Sequence, residues 1–259
     1  MTSSLSHRIA VIAGRMAVLV VLLIGTELGM RYGFLSELFF SSPTQIWKAL
    51  VTQWSNGTFL RDAEITITET LLGLACGSLL GMSVGLVLPQ LRLLSSVFEP
   101  FLMVLNGIPV IVIAPLFILW LGLGLLSKIG ISVYIVFFAM FIPVYTGSLR
   151  LDTTLADALH VMGANRFQIF WKVVVPSSLP SVYTGLKIGS GLALIGAVIG
   201  EFVASRAGLG HMILYASGTL DTPTLYLGII TLAIFAAALS LGIDALGPVL
   251  VPWRFSDEK

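Results

Sequence analysis

The chain has 259 residues, 57% of them hydrophobic and only 10% charged, with a net charge of +1 and a mean hydropathy of +1.00. Soluble domains carry about a quarter charged residues, so this composition is that of an integral membrane protein. The small net charge, with no dense basic run, argues against a nucleic-acid partner, and the single Cys76 excludes an internal disulfide.

Taken in chain order, apolar stretches of the roughly 20 residues needed to cross a bilayer occur about six times. The first runs from about Ile9 to Met30, behind a polar start with Arg8, and contains Arg15 and Glu27. It is too long for a signal peptide and no small-residue cleavage site follows, so it reads as a retained anchor. From Arg31 to about Glu64 the chain turns polar. Pro43 suits the first turn of a helix behind the cap-like Ser42. Ile46, Trp47, Leu50, Val51 and Trp54 recur at helical spacing, which fits a helix lying on the membrane surface or one packed on its own protein.

The second span covers about Ile65 to Leu88. Gly73, Gly77, Gly81 and Gly85 form a stripe along it that admits close approach of another helix; Cys76, in the same stretch, reads as a small core residue. The third span, about Val97 to Leu121, is interrupted by Pro100, Pro109 and Pro115, which free carbonyls and bend helices. Asn106, beside this break, is placed either on a route through the membrane or in a packing hydrogen bond. Further spans cover about Ile129 to Leu149, about Leu179 to Phe202 and Thr222 to Leu250. Glu201, near the end of the fifth, is costly unless it faces protein or water. It reads as a pathway residue or as an interfacial carboxylate. Asp244 and Glu69 are structural or functional by the same reasoning.

Between the fourth and fifth spans lies the longest amphipathic passage, Asp157–Pro176. Thr154 and Asp157 have the spacing of a cap and its reply. Leu155, Leu159 and Met162 share one helical face, and Gly163 supplies a left-handed stop. Asn165 is placed to cap a second short helix carrying Arg166, Phe167, Ile169, Phe170, Trp171 and Val174, which Pro176 is expected to end. Two short helices with one oily face make a docking knob.

The order Asp157-Ala158, Gly163, Ile169, Val175-Pro176 resembles the EAA loop of bacterial ABC-importer permeases, with Asp157 for Glu, Leu159 for the second Ala and Val175 for Leu. Asn106-Gly107-Ile108-Pro109, Ala114–Gly124, Gly185-Leu186-Lys187, Glu201 and Gly208-Leu209-Gly210 narrow the resemblance to the nitrate, sulfonate and taurine group. The resemblance covers about Pro43 to Leu250. It implies an all-α polytopic membrane protein of about six transmembrane helices, one permease domain over 1–259. Within it, residues 1–64 would be the anchor and interfacial segment, 65–250 the core and 150–178 the cytoplasmic coupling loop of the type I importer fold.

On that picture Asp157, Ala158, Leu159, Met162, Gly163, Ala164, Arg166, Phe167, Ile169, Phe170 and Pro176 couple the chain to an ATPase. Leu159, Met162, Phe167 and Phe170 would make the apolar contact, while Asp157 and Arg166 orient the knob. Asn106, Pro109 and Glu201 would line the translocation pathway. The implied partners are a second copy of the chain, two ABC ATPase subunits, an extracytoplasmic binding protein, the lipid bilayer and a small, anionic solute.

With six alternating spans, Arg8, Arg92, Arg150, Arg166, Lys172, Lys187, Arg254 and Lys259 gather on one side. Arg31, Lys48, Arg61, Lys128 and Arg206 lie on the other. The positive-inside rule makes the first side cytoplasmic, with both termini, and the resemblance implies that the membrane is a bacterial inner membrane. That puts the knob where ATP is.

No catalytic constellation emerges. The chain has no GxxxxGK[ST], HExxH or GxSxG, and His7, His160 and His211 have no partner at metal-ligand spacing. The expectation is a chain without cofactor or metal, with ATP and Mg held by a separate ATPase. The competing class is an ion-coupled secondary transporter or channel acting without an ATPase, for which matched broken helices in inverted repeats would be expected.

Overall fold

Helices, with no strand, build the described residues 2–150 and 153–252 in a computed structural model. They are α1 (Thr2–Arg31), α2 (Pro43–Ser55), α3 (Thr58–Val87), α4 (Arg92–Asn106), α5 (Val110–Leu121), α6 (Leu125–Leu149), α7 (Thr153–Val161), α8 (Arg166–Ile169), α9 (Val175–Ala204), α10 (Leu209–Gly218) and α11 (Thr222–Leu250). Five helical runs are long and apolar enough to cross a membrane, and the bent pair α4–α5 makes a sixth if it counts as one span.

The chain divides into two compact units, residues 1–62 with 212–231, and residues 63–211 with 232–259. In the first, Ser42 caps α2 through a reciprocal box with Gln45, and Pro43 occupies the first turn. Glu27 of α1 accepts from the Thr44 amide at 3.3 Å and its hydroxyl at 3.1 Å. Trp47, Val51 and Trp54 of α2 remain exposed along one face, as suits a helix at a membrane surface.

The second unit is organised around α6. Its Ile131, Val136, Phe141 and Val144 are fully buried. The glycine stripe of α3 is buried against it: a Cβ added at Gly81 would lie 2.5 Å from the Phe137 carbonyl oxygen. From the other side α9 offers Gly196, whose added Cβ would lie 2.6 Å from Ser132 Cα. Small residues on both flanks therefore bring three backbones within van der Waals reach. Cys76 lies on the exposed face of α3 and not in the core, because the glycines of that helix occupy the buried one.

The third span breaks at one of its three prolines. Pro100 and Pro115 lie within α4 and α5, whereas α4 and α5 turn through 102° across Gly107–Pro109. Pro109 has no N–H to offer the Leu105 carbonyl, which accepts from the Ile108 amide at 3.1 Å and from the Tyr134 hydroxyl of α6 at 2.5 Å. Pro176 corrects its expectation. It lies in the first turn of α9 and does not end a helix. A π turn, Phe170–Val174, carries the chain from α8 into α9, and the Val175 amide donates to the Phe170 carbonyl five residues back. The wider turn lets a residue without an amide follow without a break. Arg166–Ala204 is consequently one helical run of 39 residues. Lys187 lies inside α9, paired with Asp244, and does not belong to a loop.

Candidate functional site

The knob is built as two short helices joined by a tight stop. Gly163 has φ +84°. The Ala164 amide donates to the Leu159 carbonyl at 2.9 Å, and the Gly163 amide to the His160 carbonyl at 3.0 Å. This is the paired closure that a left-handed glycine allows. Asn165 then caps α8. Its side chain accepts from the Gln168 amide, and the Gln168 side chain accepts from the Asn165 amide, both at 2.9 Å. Gln168, not singled out from the sequence, was signalled there by the Asn-x-x-Gln spacing.

Two expected roles change. Among the described residues α7 already includes Thr153, so Thr154 sits within the helix and not at its N-cap position. The ion pairs among the described residues include neither Asp157 nor Arg166, whose side chains are exposed. The reciprocal hydrogen bonds of Asn165 and Gln168 fix the start of α8.

Its apolar residues also divide. Met162 and Phe167 are 80% and 72% exposed, as is Val161, which the sequence reading passed over. Ala158 is exposed too, while Leu159, Ala164 and Ile169 are half-buried. Phe170 turns inward, packing on the cluster of Leu86, Met140, Val144, Val174 and Val182. It ties the knob to the core. A cleft of about 970 Å³ runs beside α8, lined by Arg92, Leu94, Arg166, Phe167 and Ile169 among others.

The bend between α4 and α5 opens a second cleft of about 350 Å³. Asn106 and Pro109 line it together with Tyr134, Phe138, Leu192 and Ile195. Two of the expected pathway residues thus share one concave surface.

Glu201 is elsewhere. It is 1% exposed, accepting from the Thr66 hydroxyl at 2.6 Å and from the Gly210 amide at the start of α10 at 2.5 Å. The Thr66 hydroxyl oxygen in turn accepts from the Leu209 amide at 2.8 Å. Beside it, Glu69 of α3 and Lys128 of α6 form an ion pair at 2.5 Å, both buried. Lys128 also donates to Ser205 at 3.1 Å. Its surroundings make Glu201 a carboxylate that ties α3, α9 and α10 together. The Gly208-Leu209-Gly210 run gives it room, since a Cβ at Gly210 would lie 2.6 Å from its Oε2.

Residues 77–255 match the family model described as binding-protein-dependent transport system inner membrane component. The chain is 32% identical over 242 residues to the riboflavin transport system permease protein RibX of Chloroflexus aurantiacus, covering 92% of this chain and 89% of that one. It is 30% identical to the taurine transport system permease protein TauC of Escherichia coli, covering 85% and 82%. An inward-facing structure of the MetNI methionine ABC transporter shares the fold, with a TM-score of 0.68 at 20% identity over 76% of this chain and 97% of that one. Exposed knob, bent span and match over most of the length converge: the chain belongs to the binding-protein-dependent permease family, the membrane-embedded components of ABC importers.

Proposed function

We propose that this chain pairs with a second copy of itself to enclose a translocation route. Two ABC ATPase subunits bind the exposed knob, and an extracytoplasmic binding protein delivers a small solute carrying an anionic group. The observation that carries this reading is the knob itself. Val161, Met162 and Phe167 are apolar and open on two short capped helices, and the second helix runs without a break into α9. Hydrocarbon side chains left exposed on a polar loop fit a partner's groove. The chain supplies no phosphate-binding loop, so ATP and Mg belong to the partner and hydrolysis happens there. Closure of the ATPase pair would draw the two knobs together and turn the route from one side of the membrane to the other, ATP supplying the differential contacts.

Orientation is read from charge alone. Lys187 leaves one side of the charge count, and Lys128 and Arg31 leave the other, because each is paired within a helix. The remaining bias supports a knob, and by the alternation of six spans both termini, in the cytoplasm of a bacterial cell. An anionic solute agrees with relatives named for taurine and for aliphatic sulfonates, the latter a Bacillus subtilis permease 28% identical to this chain, while other relatives are named for riboflavin and formylaminopyrimidine.

The test is purification of the tagged chain in mild detergent. Co-purification of an ATP-binding subunit at one-to-one stoichiometry, with ATPase activity lost in the Gly163→Pro variant, is the expected result. A chain that purifies alone and moves solute in liposomes without ATP overturns the reading.

A further inference from the structure

Inside the second unit, α9 and α11 carry an ion pair that the chain does not seal. Lys187 Nζ lies 2.8 Å from Asp244 Oδ1, and the Tyr183 hydroxyl donates to the same oxygen at 3.1 Å. The Lys187 and Asp244 side chains remain 52% and 40% exposed. Both stand within helices long and apolar enough to span a bilayer. Hydrocarbon cannot solvate such groups, so charged side chains in a span face protein or a water-filled cavity, and they mark substrate routes.

The surroundings favour water. A lysine ammonium has three donors, of which Asp244 takes one, and a dry partner surface would leave the others wanting. The exposed stripe of α9 also leads somewhere: Thr184, Lys187, Gly191 and Ile195 follow at three- and four-residue steps, all open. Ile195 is shared with the cleft that holds Asn106 and Pro109. The charged pair and the bend in the third span therefore lie on one continuous face.

We infer that this face is the wall of the route, and that Lys187 is its binding point for an anionic group on the passing solute, with Asp244, itself steadied by the Tyr183 hydroxyl, holding the ammonium in place between passages. The inference rests on the importer reading and adds to it the charge that the route selects.

The test uses the assembled permease–ATPase complex in lipid nanodiscs, on a Cys76→Ser background because Cys76 is exposed. Gly191→Cys places a thiol one turn from Lys187, where an added Cβ meets nothing within 4 Å. Two thiol reagents of similar size are compared, an ethylsulfonate and an ethyltrimethylammonium methanethiosulfonate. Both are expected to label Cys at 191. The anionic-to-cationic rate ratio should fall about tenfold on adding Lys187→Gln, because one unit charge removed at about 6 Å in water shifts the two rates about threefold each, in opposite directions. Asp244→Asn, which frees Lys187, should raise that ratio, and its response does not depend on the stability of the lysine variant. No labelling at 191, while Ser55→Cys at the exposed end of α2 reacts, means that lipid or a second copy covers the face, and it overturns the inference. A ratio unmoved by both substitutions overturns the role of Lys187. Failure of the ATPase to co-purify would instead sink the importer reading, whatever the labelling shows.

Discussion

Lys128→Met should be among the most damaging single substitutions in the second unit. In the native protein Lys128 meets Glu69 at 2.5 Å, with side-chain exposures of 8% and 0%. At an effective dielectric of 20 the gross attraction at that distance is about 7 kcal/mol. Desolvation costs several kcal/mol per ion, so the pair's net contribution is small. Removing the lysine alone is different. It strands Glu69 beside the equally buried Glu201 with no cation to balance them, and breaking one side of a buried pair costs about 3–5 kcal/mol. Replacing both, as Lys128→Met with Glu69→Leu, removes charge and counter-charge together and should recover most of that loss. The assay is thermal unfolding of the detergent-solubilised complex for wild type, both single variants and the double. A strongly non-additive cycle is expected. If Lys128→Met alone unfolds within about 0.5 kcal/mol of wild type, at the level of an ordinary surface substitution, the ion pair is not holding α3 to α6 and the reasoning fails.

Gly81→Ala drives a Cβ to 2.5 Å from the Phe137 carbonyl oxygen, so it should cost about 1–3 kcal/mol by overpacking, read as a lowered melting temperature; an unchanged melting temperature would show that α3 can retreat from α6 freely. Tyr134→Phe leaves the Leu105 carbonyl at the break without its side-chain donor and should cost about 1 kcal/mol, seen as faster hydrogen exchange across residues 105–110; unaltered exchange there would refute the tie. Gly163→Pro and Asp157→Lys should abolish solute uptake while leaving membrane insertion intact. Because Asp157 is exposed, its substitution should also leave the melting temperature of the isolated chain unchanged; normal uptake by either variant at normal abundance contradicts the coupling role.

Spacing carried much of this architecture. The glycines of α3 were legible as a packing stripe because a four-residue repeat stays on one helical face, and the Gly163 stop and Asn165 cap were legible because few residues suit those positions. What they pack against was not. Nothing local tells Glu201 that Thr66, 135 residues earlier, donates to it, so a carboxylate near a span end read equally well as pathway or interface. Pro176 misled for a related reason. A proline after an apolar run signals a stop, and the same residue also suits the first turn of a following helix. Only the intervening π turn distinguishes the two, and it has no sequence signature of its own. Phe167 and Phe170, three apart, looked alike on one face. The turn beginning at Phe170 rotates it into the core and leaves Phe167 in the open.

That rotation bears on how the knob would act. A coupling element must grip its partner and also transmit what it feels, and these demands conflict if all its apolar residues face outward. Here they are split: Val161 and Met162 lie before the Gly163 stop, and Phe167 and Phe170 lie on the run that continues into α9. Val161, Met162 and Phe167 are free to be gripped, while Phe170, Val173 and Val174 are partly or fully buried, with Phe170 and Val174 packed among side chains of α3, α6 and α9. A pull on the knob therefore loads α9 through packed side chains and an unbroken backbone, and not through a slack loop. Along α9 the same rigid element carries Lys187 on the open face and Glu201 in the buried network. Of these, Glu201 is locked by two donors from α3 and α10, whereas the Lys187 pair is half exposed and held by side chains alone. On the importer reading, motion delivered at the knob would be resisted at the Glu201 end and expressed where the packing is loosest, at the Lys187 face.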